Sequence, residues 1–202
     1  MVLFYSLLAM TSLLGGTLSC ADVANVQVNQ SARAARQAAS PAHKMKLYLG
    51  MVLATFVFHF ASVLLVFAFI SQVLGVAFGA HIGYILLLCF VGCFTGVTLG
   101  TMVGALTKRS ENVKVAFLVA FTLVCCFFAG MMSPDIKYLV QYYLPAVAYL
   151  NPANLVSDGF YALYFYTTFD RYFTNLILLA GYGVVFGLVS YLILRRQRYA
   201  SV

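Results

Sequence analysis

Side chains able to do acid, base or nucleophilic chemistry are few in this sequence, and their positions limit what that chemistry can be. His59 lies within a long apolar block, where it could relay a proton or hold a substrate group; a neutral histidine bonded to a neighbouring helix is the expected role. Cys20, Cys89, Cys93, Cys125 and Cys126 fall in or at the edge of apolar blocks, without the paired Cys-x-x-Cys spacing of a zinc site, and read as small apolar fillers. No Asp, Glu, Lys or Arg interrupts those blocks. The carboxylates and dyads that ion-driven carriers and intramembrane hydrolases hold at depth are therefore not expected here. No Gly-x-x-x-x-Gly-Lys-Ser/Thr occurs, so a P-loop grip on nucleotide phosphates is excluded. The sequence assigns no catalytic residue, metal ligand or cofactor, and any energy the protein uses is expected from another polypeptide.

What remains is a set of positioning signals. Gly92, Gly96, Gly100 and Gly104 recur every four residues, with Thr95, Thr98 and Thr101 beside them. Small residues at that interval let two helix backbones approach in lipid, and contact within the subunit is expected over a mobile seam or a dimer surface. Residues 21–47 form a long polar stretch. Asp22 could cap a helix start, Arg33 and Arg36 share a face at i, i+3, and Ser40 with Pro41 reads as the cap and first turn of the next helix, with Lys44 at headgroup level. A surface helix that docks a soluble partner is expected over a positive-inside loop that only sets topology.

Residues 133–171 are too apolar and aromatic for a solvated loop. Ser133 and Pro134, followed by Asp135, read as cap and first turn of a helix running toward Pro145; Asn151 and Pro152 repeat the signal for a second helix toward Tyr166. Tyr138, Tyr161 and Tyr164 are among ten aromatic residues here, a composition suited to a membrane interface, and Asp158 is the lone acid of the second helix. A re-entrant hairpin acting as lid or gate is expected over a belt of interfacial anchors.

The elements that must hold these segments follow from composition. Of 202 residues 63% are hydrophobic and 8% charged, against roughly a quarter charged in soluble domains. The formal charge of +7 does not mark a nucleic-acid partner, because the basic residues sit in short gaps between apolar blocks. Those blocks, Val2–Ser19, Leu49–Ile70, Gly83–Leu106, Val115–Met132 and Phe173–Leu194, each approach the ~20 residues that a helix needs to cross a bilayer. Strict alternation is absent, so helices are expected rather than barrel strands. The first block is not expected to be a secretory signal, since its basic residues follow rather than precede it. Ten of the twelve basic residues fall on one side of the resulting topology, and only Lys137 and Arg171 on the other. The N-terminus is therefore expected outside and the C-terminus in the cytoplasm. The expected fold is all-α integral membrane: five transmembrane helices, a cytoplasmic helix and an outer hairpin, in one domain over residues 1–202. An outside N-terminus that starts directly in a helix suggests that a preceding helix is absent from this chain.

Met132-Ser133-Pro134-Asp135-Ile136-Lys137-Tyr138, Asn151-Pro152-Ala153-Asn154-Leu155, Asp158-Gly159-Phe160-Tyr161-Ala162-Leu163-Tyr164 and Arg195-Arg196-Gln197-Arg198-Tyr199-Ala200-Ser201, with Ser40-Pro41 before the second block, resemble ABC-2 type transporter permeases. The likeness implies six transmembrane helices per subunit, a coupling helix between the second and third, and an outer re-entrant pair between the fifth and sixth. In that register this chain starts at the family's second helix, residues 21–39 match the coupling region, and residues 133–171 match the outer pair. The resemblance further implies a separate ATP-binding subunit, a second permease subunit, and export across the plasma membrane. A non-transporting membrane scaffold is the alternative.

Overall fold

The computed structural model describes residues 2–26, 44–76, 81–107, 109–166 and 168–196, and among these every regular element is helical. In chain order these are α1 (Val2–Val26), α2 (Lys44–Ala68) continued by a π turn (Phe69–Val73), α3 (Ile82–Leu106), α4 (Glu111–Phe128), α5 (Pro134–Tyr143), α6 (Pro145–Leu150), α7 (Pro152–Phe165) and α8 (Asp170–Arg196). Helices α1, α2, α3, α4 and α8 are long and apolar enough to cross a membrane. All five expected blocks lie within them, apart from the end of the second, which runs into the π turn, and the end of the fourth.

Boundaries differ from the apolar blocks in an instructive way. Backbone hydrogen bonding continues after hydropathy stops, so α1 runs past Ser19 through Asp22 to Val26, and α4 starts early enough to include Lys114. Two sequence expectations are corrected by this. Asp22 does not open a helix; it lies in the closing turns of α1 and accepts a hydrogen bond from Thr55 Oγ1 of α2. Charged groups do occur within the spanning helices: Lys114 is 1% exposed and its ammonium donates to the Gly104 carbonyl at 3.1 Å. The fourth block also ends sooner than expected, at Phe128, because Gly130 adopts φ 89° and turns the chain away. A side chain there would be strained by that φ and would meet Lys137 Cβ at 2.8 Å.

Helices α1 and α3 make the centre. Their most apolar windows are 56% and 61% buried, whereas those of α2, α4 and α8 are 22%, 28% and 17% buried. Small residues explain the arrangement. A Cβ on Gly96 would lie 2.6 Å from the Ser12 carbonyl oxygen, and one on Gly100 1.9 Å from that of Gly16, so the two backbones touch. Gly92 faces Ser12 and Gly104 faces Val23 along the same seam. Ser19 Oγ donates to the Val97 carbonyl at 2.7 Å, adding a polar tie between the helices. The four-residue glycine repeat thus lies within the chain, against α1. His59 of α2 packs on the same helix, its Nε2 3.1 Å from the Ser12 carbonyl and its ring over Gly15.

Helices α2, α4 and α8 complete the bundle and turn Leu53, Val57, Phe58, Phe117, Val124, Ile177, Val185 and Leu188 outward. Faces so apolar suit hydrocarbon as solvent. On their inner sides polar pairs close the contacts: Thr95 Oγ1 donates to the Leu179 carbonyl at 2.9 Å, and the Tyr48 and Ser190 hydroxyls meet at 2.8 Å.

Candidate functional site

The segment between α4 and α8 folds as three helical pieces rather than two. Ser133 caps α5, its Oγ accepting from Asp135 N at 3.3 Å, and Pro134 fills the first turn. Leu144 and Pro145 then break the chain into a third, short helix, α6. Asn151 caps α7: its Oδ1 accepts from Ala153 N at 3.0 Å and Asn154 N at 3.3 Å, while its Nδ2 donates to the Cys125 carbonyl at 2.7 Å. The one side chain therefore starts α7 and ties it to the end of α4. Asn154 fixes α6 in turn, donating to the Ala148 carbonyl at 2.9 Å.

The two long pieces differ in surroundings. Eleven of fourteen residues of α7 are buried, so it is part of the bundle's packing, not a cover lying on it. Phe160 stacks on Tyr5 of α1 at 5.8 Å between centroids, and Gly159 leaves room for Leu88 of α3. Helix α5 instead shows Tyr138, Leu139, Tyr142 and Tyr143 outward, with Tyr138 and Tyr142 stacked at 6.2 Å. Among the gate residues expected from sequence, Tyr161 and Tyr164 of α7 approach Tyr5 at 6.5 Å each.

Asp158 is where α5, α7 and α8 meet. Its residue is 4% exposed, and its two oxygens accept four hydrogen bonds. Arg171 Nε and Asn175 Nδ2 donate to Oδ2 at 2.7 and 2.9 Å; an Arg171 terminal nitrogen and Gln141 Nε2 donate to Oδ1 at 2.9 and 3.2 Å. The Arg171 contact is the two-pronged fork that guanidinium and carboxylate geometry favour. Lys137 adds an ion pair, its Nζ 3.3 Å from Oδ1, and lies over the Tyr161 ring at 4.8 Å. Arg171 also donates to the Tyr166 hydroxyl at 3.1 Å. A cavity of about 380 Å³ opens beside this cluster, walled by Gln141, Tyr149, Asn154, Asp170, Arg171 and Thr174 among others.

Burial would raise the Asp158 carboxyl, but the Arg171 hydrogen bonds, the Lys137 charge and the Asn175 amide outweigh it and hold it below the usual carboxylate value. Burial pushes the Lys137 ammonium down from its ordinary value, and the Asp158 carboxylate only partly restores it. A carboxyl depressed in the folded state contributes stability that is present above its unfolded value of about 3.9 and is lost as pH falls through the folded value. The unfolding midpoint in detergent is therefore expected to show no pH dependence from Asp158 between about pH 5 and pH 7, and a fall below about pH 4 that Asp158→Asn reduces.

The expected site residues thus divide. Ser133, Asp135, Tyr138, Asn151, Pro152, Asp158, Tyr161 and Tyr164 belong to one helical unit, with Pro134 in the first turn of α5. Asp22 is at the other end of α1, and Lys44 opens α2. Arg33, Arg36, Ser40 and Pro41 lie outside the described residues. Gln141, Arg171 and Asn175 escaped the sequence reading, as did the part Lys137 plays. Lys137 and Arg171 had stood out as the two basic residues on their side; that both converge on Asp158 is a tertiary fact no local spacing encodes. Among the described residues no group of three or more His, Cys, Asp or Glu could hold a metal ion.

Residues 1–192 match the family model described as ABC-2 family transporter protein. No curated protein and no solved structure matches the chain.

Proposed function

The chain belongs to the ABC-2 family of transporter proteins, and from that premise we propose that it is the membrane half of an ATP-driven exporter, powered by a separate ATP-binding subunit. Family membership and five apolar helices make it a multi-pass membrane protein with a transport permease role. In that role it works beside a second permease subunit, identical or different.

One observation carries this reading: the segment between α4 and α8 is built into the bundle through α7 and fastened at Asp158 to the start of α8. An element so fastened beside a polar cavity is suited to open and close one end of a pathway when the spanning helices shift. In this reading residues 133–171 form the outer gate of a single permease domain over residues 1–202, the N-terminus is outside, and the C-terminus is in the cytoplasm of a plasma-membrane protein. Residues 21–47, including Asp22, Arg33, Arg36 and Lys44, are the surface on which the ATP-binding subunit presses.

Co-reconstitution with a candidate ATP-binding subunit tests the reading. ATP turnover is expected to change when the permease is present. Replacing Arg33 and Arg36 together by alanine should weaken co-purification and leave topology intact, since other basic residues hold it. No co-purification and no change in turnover would favour a non-transporting scaffold.

A further inference from the structure

Asp158 pairs with Lys137 by charge but has its hydrogen-bonding sites filled by other donors. A carboxylate offers about four lone-pair sites, and Arg171, Gln141 and Asn175 fill them with two bonds on each oxygen. Lys137 Nζ is left at 3.3 Å from Oδ1 in ion-pair contact, and among the described residues no acceptor meets it in hydrogen-bond geometry. Lys137 is nonetheless 8% exposed. A buried ammonium has three N–H donors, and leaving them unmade is costly.

Charge repeats the imbalance: two cations, Lys137 and Arg171, share one carboxylate. Both border a smaller cavity of about 170 Å³, whose wall also holds Asp158, Tyr138, Gln141, Tyr161 and Tyr166. Water entering it would accept from the ammonium but leave the extra positive charge. An oxyanion does both. Tyr166 accepts from Arg171 through its oxygen, so its own hydroxyl proton is available to a ligand. The stacked, exposed Tyr138 and Tyr142 beside the opening are residues that favour the headgroup layer of a bilayer.

We propose that this cavity binds a phosphate group, free or carried by a lipid headgroup, with Lys137 as its chief donor and Arg171 and Tyr166 alongside. The site depends on the folded chain alone and not on ATP coupling, so its failure and that of the exporter reading are separable. The test is thermal unfolding of the full chain in neutral detergent at constant ionic strength, followed by circular dichroism. Inorganic phosphate and short-chain phosphatidylglycerol are titrated separately, against chloride as baseline.

A saturable rise of about 2–4 °C is expected near five times Kd. A rise with inorganic phosphate supports free phosphate, and one with phosphatidylglycerol alone supports the headgroup. Lys137→Gln should abolish the rise and Lys137→Arg keep it. On the wild-type chain the effective ligand should also slow acylation of Lys137 but not of exposed Lys46. No rise with either ligand, an equal rise in Lys137→Gln, or equal protection of both lysines would overturn the proposal.

Discussion

Asp158→Asn is expected to lower stability by about 3–5 kcal/mol, the usual consequence of removing one partner from a buried charge pair. For a chain of this size that is a fall of about 10 °C in the unfolding midpoint. The side chain keeps its shape, so cavity formation does not contribute. What changes is that buried Lys137 loses its counter-ion, and the new amide presents donors where Arg171, Gln141 and Asn175 already donate. Arg171 is 40% exposed at its side chain and is partly relieved by solvent, which places the main loss on Lys137. Lys137→Met alone should cost much less, because Asp158 keeps its four hydrogen bonds. Adding Lys137→Met to Asp158→Asn should recover part of the loss; strict additivity of the two in a double-mutant cycle would refute the coupling.

Gly100→Leu is expected to yield no folded protein. Even the first added carbon would lie 1.9 Å from the Gly16 carbonyl oxygen and 2.4 Å from the Gly16 Cα, and backbone cannot swing aside as a side chain can. Relief requires α1 and α3 to separate along their length, which breaks the Ser19 to Val97 bond and loosens the bundle's centre. The loss should exceed the about 1–3 kcal/mol typical of overpacked cores. Gly181→Ala is the matched control, since nothing lies within 4 Å of its added carbon. It should be neutral or stabilise by up to about 1 kcal/mol through helix propensity. Normal yield and melting of Gly100→Leu would remove the seam from the account.

Particular residues show how far the sequence could be read. The spans were legible because lipid demands long apolar helices, and the caps at Ser133 and Asn151 because a polar residue before proline leaves few other local solutions. The glycine interval was legible as close packing, and His59 as a ligand of a neighbouring backbone. Helix ends were less so: Asp22 and Lys114 look like loop residues by hydropathy, yet partners on other helices let the backbone carry them into α1 and α4. The Asp158 cluster was the least legible. It joins residues from three helices, and its Gln141 and Asn175 are ordinary polar residues until the fold points them at one carboxylate.

Substituted-cysteine labelling tests the central claim most directly, that the α5 to α7 unit and the α3 to α4 connection face opposite compartments. The five native cysteines are buried, so introduced thiols at exposed Tyr142 and Arg109 should dominate labelling. A membrane-impermeant thiol reagent is expected to label Tyr142→Cys in intact cells and Arg109→Cys only after permeabilisation. Labelling of both from the same side would contradict the claim.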